Sequence, residues 1–108
     1  MRRLMIAAAA LALAGAAQAA GKAEAGKQKA AQVCAACHGP AGNKPTAPEN
    51  PILAGQHYDY LVRALTDYKT GARANPIMKG FAAQLSRQDI EDLAAWFSSQ
   101  PSKLHVQR

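Results

Sequence analysis

Acidic side chains, aromatics and cysteines are all scarce in this sequence. Of 108 residues, 7 are acidic against 13 lysines and arginines, 6% are aromatic, and 2 are cysteine. Two thiols permit a single bridge, too few for the disulfide framework by which small secreted domains usually compensate for a thin core. Large apolar side chains are few as well. Beyond residue 20, Leu53, Leu61, Leu65, Phe81, Leu85, Ile90, Leu93, Trp96 and Phe97 are most of them, set among alanines and glycines. So small a domain struggles to bury enough surface on its own, and a bound apolar group is expected to fill its middle. The lysines (Lys22, Lys27, Lys29, Lys44, Lys69, Lys79, Lys103) form no run and alternate with no aromatics. That spacing argues against a nucleic-acid footprint and fits electrostatic steering toward an acidic protein surface.

What is there begins with a leader. Met1-Arg2-Arg3, an apolar run from Leu4 to Ala14, and Ala17-Gln18-Ala19-Ala20 have the layout of a secretory signal peptide cut after Ala19 or Ala20. The run is too short to span the ~30 Å of hydrocarbon in a bilayer. The expected organisation is a cleaved signal over residues 1–20 and a single domain over 21–108, exported to the periplasm without stable membrane insertion. Loss of Arg2 and Arg3 takes the formal charge from +6 to +4, still mildly basic.

Three stretches read as helix and none as strand. Residues 22–33 are rich in Ala, Lys and Gln, good helix formers, and place Ala23, Gly26, Ala30 and Val33 on one stripe. A glycine inside that stripe costs about 1 kcal/mol against alanine, which implies another helix passing close by. Residues 57–70 carry Leu61, Ala64, Leu65 and Tyr68 on one face and end at Gly71, a suitable residue just past a helix. The third helix opens at Ser86 with Asp89 three residues later, a capping pattern, and continues with Ile90, Leu93, Ala94 and Phe97. Two long connections, GPAGNKPTAPENPILAG and ARANPIMKGFAAQ, read as loops. Loops of that length in so small a domain are expected to wrap a ligand.

The chemistry concentrates in CAACH, residues 34–38. Three readings compete: a metal ion, a dithiol switch and a covalently attached haem. Structural zinc needs four ligands at workable spacing, and His38, His57 and His105 form no such pair. A thioredoxin-like switch needs a βαβ context, and no strand is expected. C-x-x-C-H is a haem-attachment pattern. One helical turn can present Cys34 and Cys37 to two vinyl groups of a single porphyrin, and His38 then points toward the iron. For the sixth ligand, His/Met ligation is the pattern of haem electron carriers, and Met78 is the one methionine left after the leader is removed. His57 is the rival.

These segments resemble the class I cytochromes c, especially the small bacterial periplasmic monohaem kind. The resemblance rests on AEAGKQKAAQVCAACHG, PILAGQHYDYL and NPIMKGFAAQLSRQDIEDLAAWF, in that order. It implies an all-α fold of three to five short helices and long loops around one covalently bound haem c. The first and last helices would cross, with Gly26 near Trp96 or Phe97. It further implies that the Pro51 carbonyl accepts a hydrogen bond from the His38 ring, that Leu53 packs on the haem, and that Arg73 or Tyr60 lies near the propionates. The implied activity is one-electron transfer without catalysis, by a monomeric carrier. Its donor would be a cytochrome bc1-type complex or a dehydrogenase, and its acceptor a terminal oxidase or reductase. Two alternatives stay open: a haem subunit of a larger periplasmic dehydrogenase, and a gas-sensing or peroxidatic haem protein with a labile sixth ligand.

Overall fold

In the computed structural model, residues 21–101 are described; the expected leader, and the tail with Lys103 and His105, lie outside them. Five helices follow one another: α1 (Ala23–Val33), α2 (Ala35–His38), α3 (Tyr58–Thr70), α4 (Pro76–Ala82) and α5 (Arg87–Ser98). No strand occurs among the described residues, in keeping with the all-α expectation. No described helix is long and apolar enough to cross a membrane.

The frame is the crossing of α1 and α5. Gly26 lies so close to α5 that a Cβ placed on it would sit 1.9 Å from the Asp92 carbonyl oxygen and 2.9 Å from Trp96 Cβ. The glycine that weakens α1 as an isolated helix therefore allows two backbones to meet. Beneath the crossing, Ala30, Ile90, Leu93, Ala94 and Phe97 join Leu61 from α3 and Ala82 and Leu85 from the α4 region in one buried cluster.

Several helix ends follow local chemistry. Ser86 and Asp89 form the expected reciprocal cap: the Asp89 N–H donates to Ser86 Oγ at 3.0 Å and the Ser86 N–H to Asp89 Oδ2 at 2.9 Å. Gly71 closes α3 in the left-handed region, φ +90°. The start of α1 has no cap from its own side chains. Instead the buried Asp92 reaches across from α5, and its Oδ1 accepts from the Lys22 N–H and from Gln88 Nε2, each at 2.8 Å.

One expected loop is a helix. Residues around Met78 form α4, with the Asn75 side chain accepting from the Ile77 and Met78 N–H groups at 3.1 and 3.0 Å and Pro76 in the first turn. An oxygen-bearing cap followed by proline starts a helix well: the side chain satisfies free N–H groups, and proline's fixed φ suits a position that needs no donor.

The 39–57 connection is irregular but anchored. The Gly42 carbonyl accepts from the N–H groups of Leu53 and Ala54, and the Gly55 N–H donates to the Phe97 carbonyl at 2.8 Å. Gly42 itself has φ +77°, and a Cβ there would strike the Phe97 ring at 2.7 Å. Trp96 Nε1 donates to the Pro40 carbonyl at 3.1 Å, tying α5 to the start of the same loop.

Candidate cofactor site

The 39–57 connection, α3 and the 73–85 segment that contains α4 wall a cavity of about 600 Å³. Cys34, Cys37 and His38 line it from the α1–α2 side, and Met78 lines it from α4. The rest of the wall is mostly apolar, with Leu53, Leu61, Leu65, Phe81 and Phe97 among its members. A void of this size in a domain with so few large side chains is what a bulky apolar group would fill.

The two thiols come from the junction of α1 and α2. Cys34 ends α1 and precedes α2, and its carbonyl accepts from the N–H groups of Cys37 and His38 at 3.3 and 3.0 Å. This one turn brings both sulfurs to the cavity. Both cysteines are free and half-buried. Burial pushes the Cys34 thiol up to about 11, and Cys37 beside it adds to the rise. Activated redox cysteines are displaced the other way, toward the thiolate, so Cys34 lacks the hallmark of a dithiol switch. Among the described residues no three of His, Cys, Asp and Glu converge as a metal site.

His38 is only 7% exposed. Its Nδ1 lies 2.9 Å from the Pro51 carbonyl oxygen. A carbonyl can only accept, so Nδ1 carries the hydrogen, and in the neutral ring Nε2 keeps the lone pair. The ring therefore offers a metal-ligating nitrogen in a fixed tautomer. Neutral imidazole, thioether sulfur and two thiols around an apolar void are a donor set that fits a covalently held haem.

The remaining expected residues divide. Pro51 and Leu53 both line the cavity. So do Tyr60 and Arg73, with Arg73 Nη1 donating to the Tyr60 hydroxyl at 3.2 Å and its guanidinium 4.9 Å from the Tyr68 ring centroid. His57, the rival ligand, is exposed, caps α3 and is not part of the wall. Gly26 meets Trp96 as expected, though its closest neighbour is the Asp92 backbone. Asn50 was not singled out in the sequence, and Tyr68 only as part of a helix face, yet both line the cavity. Their only sequence signals were proximity to Pro51 and a place on the apolar face of α3.

Comparison with known proteins agrees with this geometry. The cytochrome c family model matches residues 23–101. The chain is 52% identical over 90 residues to cytochrome c4 of Pseudomonas aeruginosa, covering 83% of this chain and 44% of that protein. It is 42% identical over 84 residues to cytochrome c-554(548) of Halomonas halodenitrificans, covering 75% of this chain and 99% of that one. Among solved structures, reduced recombinant cytochrome c4 from Pseudomonas stutzeri superposes with a TM-score of 0.70 at 48% identity, over 76% of this chain and 47% of that chain. The chain thus spans less than half the length of the cytochromes c4 it matches.

Proposed function

This chain belongs to the cytochrome c family, and on that premise we propose that it is a periplasmic one-electron carrier holding a single haem c. When bound, the haem supplies an iron centre that alternates between ferrous and ferric states. Cys34 and Cys37 would hold it by thioether bonds, and His38 Nε2 and the Met78 sulfur would ligate its iron. The observation that carries this reading is the gathering of those four side chains on one apolar cavity, with the His38 tautomer set by Pro51.

The other residues have supporting parts. Pro51 orients the imidazole and raises its basicity through the ring hydrogen bond. Leu53, Leu61 and Phe97 exclude water, which keeps charge reorganisation small. With His38 and Met78 both bound to it, the iron would have no free site for oxygen or peroxide, which fits a carrier and not a catalyst. Arg73, braced by Tyr60 and Tyr68, is the cationic side chain on the wall and suits a propionate. Lysines around the surface would steer a transient encounter with an acidic redox partner. Support for a redox partner comes from a relative named thiosulfate dehydrogenase electron acceptor, from Stutzerimonas stutzeri, 39% identical over 77 residues.

The test is the intact mass and visible spectrum of protein produced in a host competent in haem maturation. The expected result is one haem added per chain, a reduced pyridine band typical of two thioethers, and a weak red-end band in the oxidised form from sulfur on iron. Cys34→Ala should shift the pyridine band to the single-thioether position. Colourless protein with the mass of its amino acids alone would end this reading.

A further inference from the structure

The loop carrying Pro51 is clasped to the CAACH turn by a reciprocal pair of hydrogen bonds. His38 Nδ1 donates to the Pro51 carbonyl at 2.9 Å, and Asn50 Nδ2 donates to the Cys37 carbonyl at 3.2 Å. Residues 37–38 and 50–51 thus each give one donor and one acceptor, closing a ring of contacts between two adjacent pairs. The backbone of residues 50–51 has no donor to spare for this. Pro51 has no N–H, and the Asn50 N–H is engaged with the Ala47 carbonyl at 3.1 Å. Within that pair of residues, the Asn50 side chain is what completes the clasp. Thr46 supports it: its N–H donates to the same Cys37 carbonyl at 3.0 Å, and its hydroxyl lies 3.5 Å from Asn50 Nδ2.

We propose that Asn50 is a positioning residue for His38. It acts through the Cys37 and Pro51 carbonyls and so sets both the orientation of the imidazole and the basicity of Nε2. The inference rests on His38 being the iron ligand. A well-aligned acceptor on Nδ1–H makes the opposite nitrogen a stronger donor, and a stronger donor favours the ferric state. Cutting the clasp lets the Pro51 carbonyl drift, weakens that donation and moves the midpoint potential upward.

The experiment uses the haem-loaded protein and its Asn50→Ala and Asn50→Ser variants. Midpoint potentials come from spectroelectrochemistry, and NMR gives the exchange rate of the His38 ring N–H and the spread of the haem-methyl shifts. For Asn50→Ala the Fe(II)/Fe(III) ratio at fixed potential should rise by about three- to tenfold, tenfold being ~59 mV for one electron. Ring N–H exchange should quicken and the methyl shifts rearrange. Asn50→Ser, which keeps a donor, should fall between. An Asn50→Ala protein with unchanged potential and unchanged ring exchange overturns the proposal. Wild-type protein supplies a check that needs no variant: the Asn50 side-chain amide protons should exchange more slowly than those of exposed Asn43. Equal rates overturn it too. Failure of the iron-ligand reading would look different, since the wild-type spectrum would then lack the shifted resonances of an iron-bound His38 ring.

Discussion

Replacing Gly26 with alanine pits two opposing effects against each other, and the structure says which wins. Alanine is the better helix former, so in an isolated α1 the change would stabilise by about 1 kcal/mol. In the folded protein the new methyl would lie 1.9 Å from the Asp92 carbonyl oxygen and 2.9 Å from Trp96 Cβ. Both obstacles belong to α5, and the nearer one is backbone, which cannot swing aside as a side-chain tip could. α1 and α5 must therefore separate, loosening the packing of Ala30, Leu93 and Phe97 and stretching the bond from the Lys22 N–H to Asp92. Overpacking of this kind costs typically 1–3 kcal/mol, and a backbone obstacle places this case at about 3. After the propensity gain, a net loss of about 2 kcal/mol remains, a fall in Tm on the order of 8–16 °C for a domain this small. Urea and thermal unfolding of the haem-loaded protein would measure it. Ala31→Gly, at an exposed position of the same helix, isolates propensity and should cost about 1 kcal/mol. A Gly26→Ala protein as stable as the parent, or more so, would refute the close crossing.

Met78→Ala should leave the haem attached, abolish the red-end band of the oxidised protein and let carbon monoxide bind at neutral pH, as followed by absorbance. Ready carbon monoxide binding by the unsubstituted protein would instead favour a gas-sensing role. The Ser86 backbone N–H, with help from the Ser86 hydroxyl and Lys29, holds the Asp89 carboxyl below its ordinary range. A depressed folded value means that Asp89 stabilises fully above its unfolded pKa of about 3.9 and loses this as pH falls through the folded value. Asp89→Asn should accordingly cost about 1 kcal/mol near pH 7 and flatten the fall in urea midpoint between about pH 5 and pH 3. An unaltered acid limb would show that the cap carries no such linkage.

The features written locally in the chain were readable before any coordinates. The boundaries of α1, α3 and α5 lie within a residue of those expected, because apolar spacing, Gly71 and the Ser86–Asp89 pattern each act over a single helical turn. CAACH could be read as a haem turn because its five residues hold both thiols and one proposed iron ligand. α4 escaped because seven residues are too few to show a period and Gly80 argues against helix; its Asn75-Pro76 start was the available clue. Asp92 at the head of α1 had no local signal at all, since donor and acceptor are 70 positions apart. Asn50 was hidden likewise, as an ordinary polar residue in a proline-rich loop whose partner is a backbone carbonyl. Side chains that serve a distant backbone leave no pattern in the sequence, whereas those that serve their own turn do.

The meeting of α1 with α5 also orders events in time. As the polypeptide folds, α1 has its principal neighbour in α5, more than fifty residues further along the chain, so it cannot dock until α5 is there to receive it. Throughout that wait the CAACH turn, which follows α1 directly, stays unenclosed and accessible to whatever machinery attends to it. Closure comes only when the final helix arrives, and the same long-range contact that holds the finished molecule together keeps its chemically busiest turn open until then.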